Sequence, residues 1–205
     1  MLRDTRVGVL GLGAMGSAAA ESLARNGFAV SAWSRSGAAD RSPPSGVPAE
    51  RVHFLRYSDQ RLDAYPELTV VQALEEKLEE IGDVNIVYTH SASDLNKDHR
   101  LTRDAVMTVL RPQPGSTVKD ILFFEVPSAT DWGGDQLSFN PKVHINIQGL
   151  PLEAKIKALG AYAREMRAWP HARSFMALDA QMKFRGSHVG LEYAEAFELG
   201  RRIVQ

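Results

Sequence analysis

Short runs of β-branched and aromatic residues recur along this chain, separated by longer segments whose apolar residues repeat every three to four positions. The first pattern is typical of buried strands in a parallel sheet, and the second is typical of amphipathic helices. Together they predict an α/β fold with a Rossmann-like, mostly parallel sheet and helices on both faces. The predicted strands cover residues 7–10, 28–33, 52–57, 84–88, 118–126 and 143–147, and the predicted helices cover residues 17–25, 70–81, 101–110, 152–166, 174–185 and 191–204.

Three segments follow one another within what we expect to be one folded domain. Residues 1–36 predict a Rossmann-type βαβ unit, residues 37–50 are a crossover rich in Pro, Gly and Ser, and residues 51–205 carry the remaining elements. Pro43 and Pro44 exclude a helix through the middle of the crossover. A chain of 205 residues is long enough to bury a substantial core.

The composition excludes several functional classes. The formal net charge is −1, so no basic excess favours nucleic acid or an anionic membrane as a partner. The absence of cysteine excludes disulfides, thiolate zinc ligands and a cysteine nucleophile. No apolar run approaches the roughly 18 residues of a membrane span, and we read no signal peptide before the first strand, so we expect a cytoplasmic protein.

A glycine-rich turn follows the first predicted strand. Gly11, Gly13 and Gly16 match G-x-G-x-x-G between a strand and a helix, the context in which this motif binds a dinucleotide pyrophosphate. Arg35 stands where an NAD site would carry an acidic residue, and its charge favours the 2′-phosphate of NADP. A tight turn without a ligand is the alternative interpretation. Residues 2–36 resemble the cofactor-binding start of 2-hydroxyacid dehydrogenases of the glyoxylate or hydroxypyruvate reductase type.

The stretch over residues 84–100 joins a predicted strand to a loop dense in metal-type ligands and then to a helix. Ligands bind at the carboxyl ends of strands in α/β sheets, so this loop is the principal candidate site. Asp and Asn before a helix are also ordinary caps, and a single His is often structural. The candidate residues are His90, Asp94, Asn96, Asp98 and His99.

Several separated motifs give residues 46–205 a family resemblance. HSASDLNKDH, residues 90–99, is accompanied by FLRYSDQRLD (54–63), RPQPG (111–115), FEVPSATDWG (124–133) and EMRAWPHARS (165–174). In this order they resemble the PIG-L or LmbE-like family of zinc-dependent N-deacetylases. The resemblance implies a hydrolase that cleaves the amide of an N-acetylated sugar or a related small molecule.

The same resemblance implies a mononuclear zinc ion with His99 as one ligand. Asp98, Asp94 and Asn96 are the catalytic candidates, and His90 is a second metal candidate because His90, Asp94 and His99 lie on one loop. The family's other ligands come from an H-P-D-D-E type motif after the first strand, whose place the glycine turn takes here. The predicted substrate residues, which resemble the family's C-terminal segments, are His171, Arg173 and His188.

Three functional hypotheses follow from the sequence. The leading one is a zinc-dependent N-deacetylase, impaired if nothing replaces the missing motif. The second is an NADP-binding module of dehydrogenase origin, and the third is an inactive chimeric scaffold. The partner that we expect is a small molecule, and the sequence leaves open both a homo-oligomer and the identity of the substrate.

Overall fold

A computed structural model describes residues 6–10, 29–34, 48, 51–133, 138–163 and 165–204. Within these residues one seven-stranded sheet has the order β3-β2-β1-β4-β5-β7-β6. The strands are β1 (Arg6–Leu10), β2 (Ala29–Ser34), β3 (Val52–Phe54), β4 (Ile86–His90), β5 (Asp120–Phe124), β6 (Val143–Asn146) and β7 (Ala194–Arg202). The described helices are a 3₁₀ helix (Leu62–Ala64), α1 (Glu67–Ile81), α2 (Lys97–Val109), α3 (Leu150–Ala161) and α4 (Phe175–Ser187).

The sheet is parallel over most of its width. Strands β3, β2, β1, β4 and β5 pair in parallel, whereas β7 pairs antiparallel with both β5 and β6. Central strands that are covered on both faces need continuous apolar runs, and four of the five residues in each of β4 and β5 are buried. The predicted α/β fold is confirmed, and the antiparallel strand β7 makes the sheet mixed.

Two apolar clusters lie on opposite faces of this sheet. Val87 and Phe123 belong to the cluster that α1 and α2 cover. Tyr88, Phe124 and Phe197 belong to the other cluster, on the face where α3 and α4 lie. Successive side chains of a strand point to opposite faces, which explains why neighbours in the sequence serve different clusters. The predicted placement of helices on both faces is therefore confirmed.

The last strand corrects one prediction, because residues 191–204 were expected to be helical and instead contain β7. Alanine and glutamate in this segment favour a helix locally. Ala194, Ala196 and Phe197 are nevertheless buried, and the segment pairs with strands on both sides. Burial between two strands outweighs helix propensity, a common outcome for sheet residues.

Gly200 lets β7 approach β5 closely. Leu122 pairs with Leu199 and Ile121 pairs with Arg201, so Gly200 is the extra residue at an irregularity in the register. A Cβ atom at Gly200 would lie 2.6 Å from the Phe123 ring. The other described strands and α-helices agree in type with their predictions, and the 3₁₀ helix lies in a segment predicted to be a loop. The predicted helix over residues 17–25 and all of the crossover except Pro48 lie outside the described residues.

None of the described helices has the length and apolar character needed to cross a bilayer.

Candidate metal centre at the carboxyl edge of the sheet

Strand β4 ends at His90, and the chain then crosses the carboxyl edge of the sheet to reach α2. The Ser91 amide donates to the Phe124 carbonyl at 3.2 Å, and the Leu95 amide donates to the Ala129 carbonyl at 3.0 Å. The loop is thus attached both to the end of β5 and to the loop that follows β5. These backbone bonds fix the positions from which its side chains project.

Asp94 organises this loop through both of its carboxylate oxygens. Oδ1 accepts the Asn96 amide at 2.8 Å, while Oδ2 accepts the Thr130 hydroxyl at 3.3 Å and lies 2.9 Å from Nδ1 of His99. Such partners offset the cost of burying a carboxylate that is only 1% exposed. A carboxylate on Nδ1 fixes the tautomer and orientation of a metal-binding imidazole. Nε2 of His99 is then the nitrogen left for a metal.

His90 adds a third side chain to this centre. His90, Asp94 and His99 offer ligand atoms that lie within 4.8 Å of one another, the one such group found among the described residues. The two imidazole rings are stacked, with centroids 4.0 Å apart and planes 10° from parallel. An imidazole nitrogen binds a metal along a lone pair that lies in the ring plane. Two ring planes that are stacked 4.0 Å apart and only 10° from parallel do not meet within metal–ligand distance of both rings. With the rings in these orientations, His99 can bind zinc through Nε2, but His90 and His99 cannot both bind the same ion.

The other two catalytic candidates are tied into the local structure. Oδ1 of Asn96 accepts the Asp98 amide at 2.9 Å, which makes Asn96 the N-cap of α2. This cap explains why α2 begins at Lys97, earlier than its apolar repeat predicts. Asp98 is 2% exposed, and its Oδ1 accepts the Leu62 amide at 3.1 Å, joining α2 to the 3₁₀ helix. Catalytic roles for both residues stay predictions.

The loop over residues 126–133, here called the supporting loop, packs against the metal-centre loop. Thr130 Oγ1 accepts the Val126 amide at 2.7 Å and donates to Asp94. Gly133 approaches Ser93 so closely that a Cβ atom would lie 1.7 Å from the Ser93 carbonyl oxygen. Sequence reasoning missed the role of Thr130, although the run FEVPSATDWG was itself visible as a motif.

Asp131 brings a further carboxyl group close to this centre. Partial burial raises the pKa of the Asp131 carboxyl, and the nearby charge of Asp94 raises it further. Hydrogen bonds from the backbone amides of Ser128, Ala129 and Asp131 itself act in the opposite direction. Asp131 and Asp94 are therefore electrostatically linked, which sequence spacing alone does not reveal.

The three predicted substrate residues fall in two places. The His171 ring lies edge-on to Trp132 of the supporting loop, with centroids 5.7 Å apart, and His171 Nδ1 accepts the Arg173 amide at 3.0 Å. His188 instead lies 6.2 Å, centroid to centroid, from His144 of the edge strand β6. That strand is three positions from β4 in the sheet. His171 and Arg173 are thus connected to the supporting loop, and His188 is grouped with the far edge of the sheet.

The sequence comparison decides which family this arrangement represents. Residues 6–110, just over half of the chain, match the sequence model of the PIG-L family, described as GlcNAc-PI de-N-acetylase. The chain belongs to the PIG-L family. Membership makes it an N-deacetylase by class, that is, a hydrolase of amide bonds. The match ends one residue after α2 and therefore includes the whole His90–His99 loop.

Solved structures share the fold of this PIG-L chain at low sequence identity. The conserved protein TT1542 from Thermus thermophilus is 19% identical, with a TM-score of 0.61 over 100% of this chain and 97% of that one. N,N′-diacetylchitobiose deacetylase from Pyrococcus horikoshii is 15% identical, with a TM-score of 0.63 over 96% and 83%. The A40926 pseudoaglycone deacetylase Dbv21 is 16% identical, with a TM-score of 0.63 over 99% and 100%. A comparison with curated protein sequences gave no match.

The PIG-L match also covers the N-terminal unit, because it begins at the first residue of β1. None of these comparisons points to a dehydrogenase or to bound NADP. The predicted nucleotide-binding residues lie outside the part of the chain that the structure describes; they are Gly11, Gly13, Gly16 and Arg35.

Proposed function

We propose that this PIG-L family member releases acetate from a small N-acetylated sugar at a zinc site that includes His99. The observation that carries the proposal is the contact between Asp94 and His99 at the carboxyl edge of β4. It places a buried carboxylate 2.9 Å from one imidazole nitrogen, the arrangement that prepares the other nitrogen to bind a metal.

Zinc bound at His99 would polarise the amide carbonyl and lower the pKa of a bound water to about 7. Asp94 would hold the ring in one tautomer, and Thr130 would in turn hold Asp94. Since both Asp94 oxygens already have partners, we assign Asp94 a positioning role rather than proton transfer. Asp98 remains a catalytic candidate from the sequence, and we assign it no particular step.

The metal site differs from the family pattern in one respect that bears on its strength. Residues 1–52 contain neither histidine nor cysteine, so the histidine of the H-P-D-D-E type motif has no counterpart there. The stacking of His90 on His99 keeps His90 from supplying the missing imidazole without a ring rotation. We therefore expect weaker zinc binding and slower turnover than a complete three-ligand site would give.

The substrate class follows from the family and from the structural neighbours. The family description names a de-N-acetylase of an N-acetylglucosamine derivative, and one structural neighbour is a deacetylase of N,N′-diacetylchitobiose. Both substrates carry an acetamide on a sugar ring. A compound of this kind is therefore the first one to test.

Acetate release from N-acetylglucosamine and N,N′-diacetylchitobiose, measured with and without added zinc, tests the proposal. We expect zinc-dependent release that a chelator stops and that His99→Ala abolishes. His144→Ala is the matched control, because His144 lies on the edge strand β6 and should leave release unchanged. Absence of acetate from the zinc-loaded protein, or full release by His99→Ala, would refute the proposal.

A further inference from the structure

A carboxylate on the last strand reaches the candidate metal centre from outside its loop. Glu198 lies on β7, and β5 separates β7 from β4 in the sheet. Oε2 of Glu198 nevertheless accepts the Ser91 hydroxyl at 2.7 Å, although the two residues are 107 positions apart in the chain. Ser91 directly follows β4 and begins the loop that carries Asp94 and His99. This loop is therefore held by the C-terminal strand as well as by the end of β5.

The register of the sheet explains how Glu198 reaches Ser91. Glu198 pairs with Phe123 of β5, and Phe123 pairs with Thr89 of β4. Residues that pair directly across strands lie on the same face of a sheet. Ser91 comes two positions after Thr89, which returns its side chain to the face on which Glu198 lies.

The Glu198 carboxylate gives a direction to a short chain of hydroxyl groups. An ionised carboxylate only accepts hydrogen bonds, so the single hydroxyl proton of Ser91 points to Glu198. Oγ of Ser91 is then the acceptor for the Ser93 amide at 3.2 Å and for the Ser93 hydroxyl at 2.8 Å. Ser91 and Ser93 are only 0% and 6% exposed, so water does not compete for these bonds.

The two serines lie in the turn that presents Asp94. The Asp94 amide donates to the Ser91 carbonyl at 3.4 Å and closes a turn over residues 91–94. The Asp94 carboxylate in turn lies 2.9 Å from Nδ1 of His99. A shift of Ser91 would therefore move Asp94, and through it the imidazole of His99.

The second oxygen of Glu198 also has a partner. Oε1 accepts the Asn140 amide at 2.9 Å, in the segment that leads into β6. The Ser91 hydroxyl and the Asn140 amide are both neutral donors, and hydrogen bonds to a charged acceptor are stronger than those between neutral groups. Glu198 thus joins three separate parts of the chain at the carboxyl edge of the sheet.

We propose that Glu198 is a positioning residue of the metal centre, which acts through Ser91 and Asp94 to hold the His99 imidazole in the orientation that binds zinc. This inference rests on the proposed function, because zinc at His99 is part of it. It adds a residue that belongs neither to the loop of His99 nor to the supporting loop. Groups that orient a metal ligand from outside its coordination shell change metal affinity without touching the metal.

Glu198→Leu removes both acceptor oxygens and tests the inference. Zinc affinity, measured by competition with a fluorescent chelator, should fall about 3- to 10-fold, less than the 10- to 100-fold effect of removing a direct partner of a ligand. In the metal-free protein, the nitrogen NMR shifts of the His99 ring should change from those of one tautomer to those of a mixture. Glu198→Gln should restore most of the affinity, since its oxygen can accept the Asn140 amide and its amide group can donate to Ser91.

Asp120→Asn is the matched control for a general loosening of β7. Asp120 accepts from the Arg202 guanidinium at 2.9 and 3.1 Å and joins β5 to β7 at the opposite edge of the sheet. This variant should keep the zinc affinity of the unsubstituted protein. Ser91→Ala should lower the affinity as Glu198→Leu does, and the double variant should fall well short of the product of the two effects, because both act through one contact.

Equal zinc affinities of Glu198→Leu and the unsubstituted protein would overturn the inference, as would an equal loss in Asp120→Asn. Weaker zinc binding by Glu198→Leu, in a protein that releases no acetate, would support the positioning role while refuting the proposed function. Acetate release with unchanged zinc affinity in Glu198→Leu would leave the proposed function standing and refute the inference. A protein that binds no zinc would refute the proposed function, and the His99 nitrogen shifts in Glu198→Leu would still decide the inference.

Discussion

The candidate metal centre and the α3–α4 face of the sheet are held together by contacts that span different distances along the chain. In the metal centre, Asp94 bonds to Asn96 and His99, which are two and five positions away, and to Thr130, which is 36 positions away. On the α3–α4 face, Lys155 and Glu195 are 40 positions apart and Glu125 and Arg185 are 60. The first group needs only the segment from β4 to α2 and the supporting loop beside it, whereas the second exists only after β7, α3 and α4 have packed on the sheet.

Substitutions in the two regions should therefore affect different properties of the protein. Contacts that are mostly within one segment shape a site locally, so a change there should affect metal binding more than global stability. Ion pairs between distant elements hold those elements in place, so a change there should affect the free energy of unfolding.

Lys155→Met should destabilise the protein by about 3–5 kcal/mol, because it leaves the Glu195 carboxylate partly buried without its cation. Urea denaturation followed by circular dichroism measures this change. The double variant Lys155→Met with Glu195→Leu should recover most of the loss. A loss below about 1 kcal/mol in the single variant would show that the packing of α3 on β7 does not depend on this pair.

Asp94→Asn should lower zinc affinity by about 10- to 100-fold, since an amide no longer fixes the His99 tautomer as a carboxylate does. Competition with a fluorescent zinc chelator measures the affinity. Asp104→Asn serves as the control, because Asp104 lies on α2 with its side chain 49% exposed and pairs only with Arg103 in the described structure. Equal affinities of Asp94→Asn and the unsubstituted protein would exclude the positioning role of Asp94.

Asn96→Ala should cost about 1 kcal/mol of stability through loss of the helix cap. Asn96→Ser retains a capping oxygen and should restore both stability and acetate release. Thermal unfolding and the acetate assay, run on both variants, distinguish the cap from a catalytic amide. A serine variant that is stable but inactive would instead support the catalytic role predicted from the sequence.

Local contacts are also the ones that the sequence predicts well. His90, Asp94 and His99 could be grouped in advance because ten consecutive residues carry them, between a strand and a helix whose patterns are clear. The stacking of His90 on His99 could not be foreseen. The orientation of His90 depends on Phe124, which only the pairing of β4 with β5 brings alongside.

The two ion pairs of the α3–α4 face were not predicted, and β7 shows why for one of them. Its alanines and glutamates have the local preferences of a helix, and only pairing with β5 and β6 makes this segment a strand. Because this segment was predicted to be a helix, Glu195 was not recognised as a partner for Lys155. A periodicity read within one segment carries no information about a partner 40 residues away.

X-ray absorption spectroscopy of the zinc-loaded protein counts the imidazole nitrogens bound to the metal, so it measures the role of His99 without an activity assay. We expect about one zinc per chain, with a single imidazole ligand at about 2.0–2.1 Å that is lost in His99→Ala. Retention of this ligand in His99→Ala, two imidazoles on one ion, or a protein that retains no zinc would rule out the proposed site.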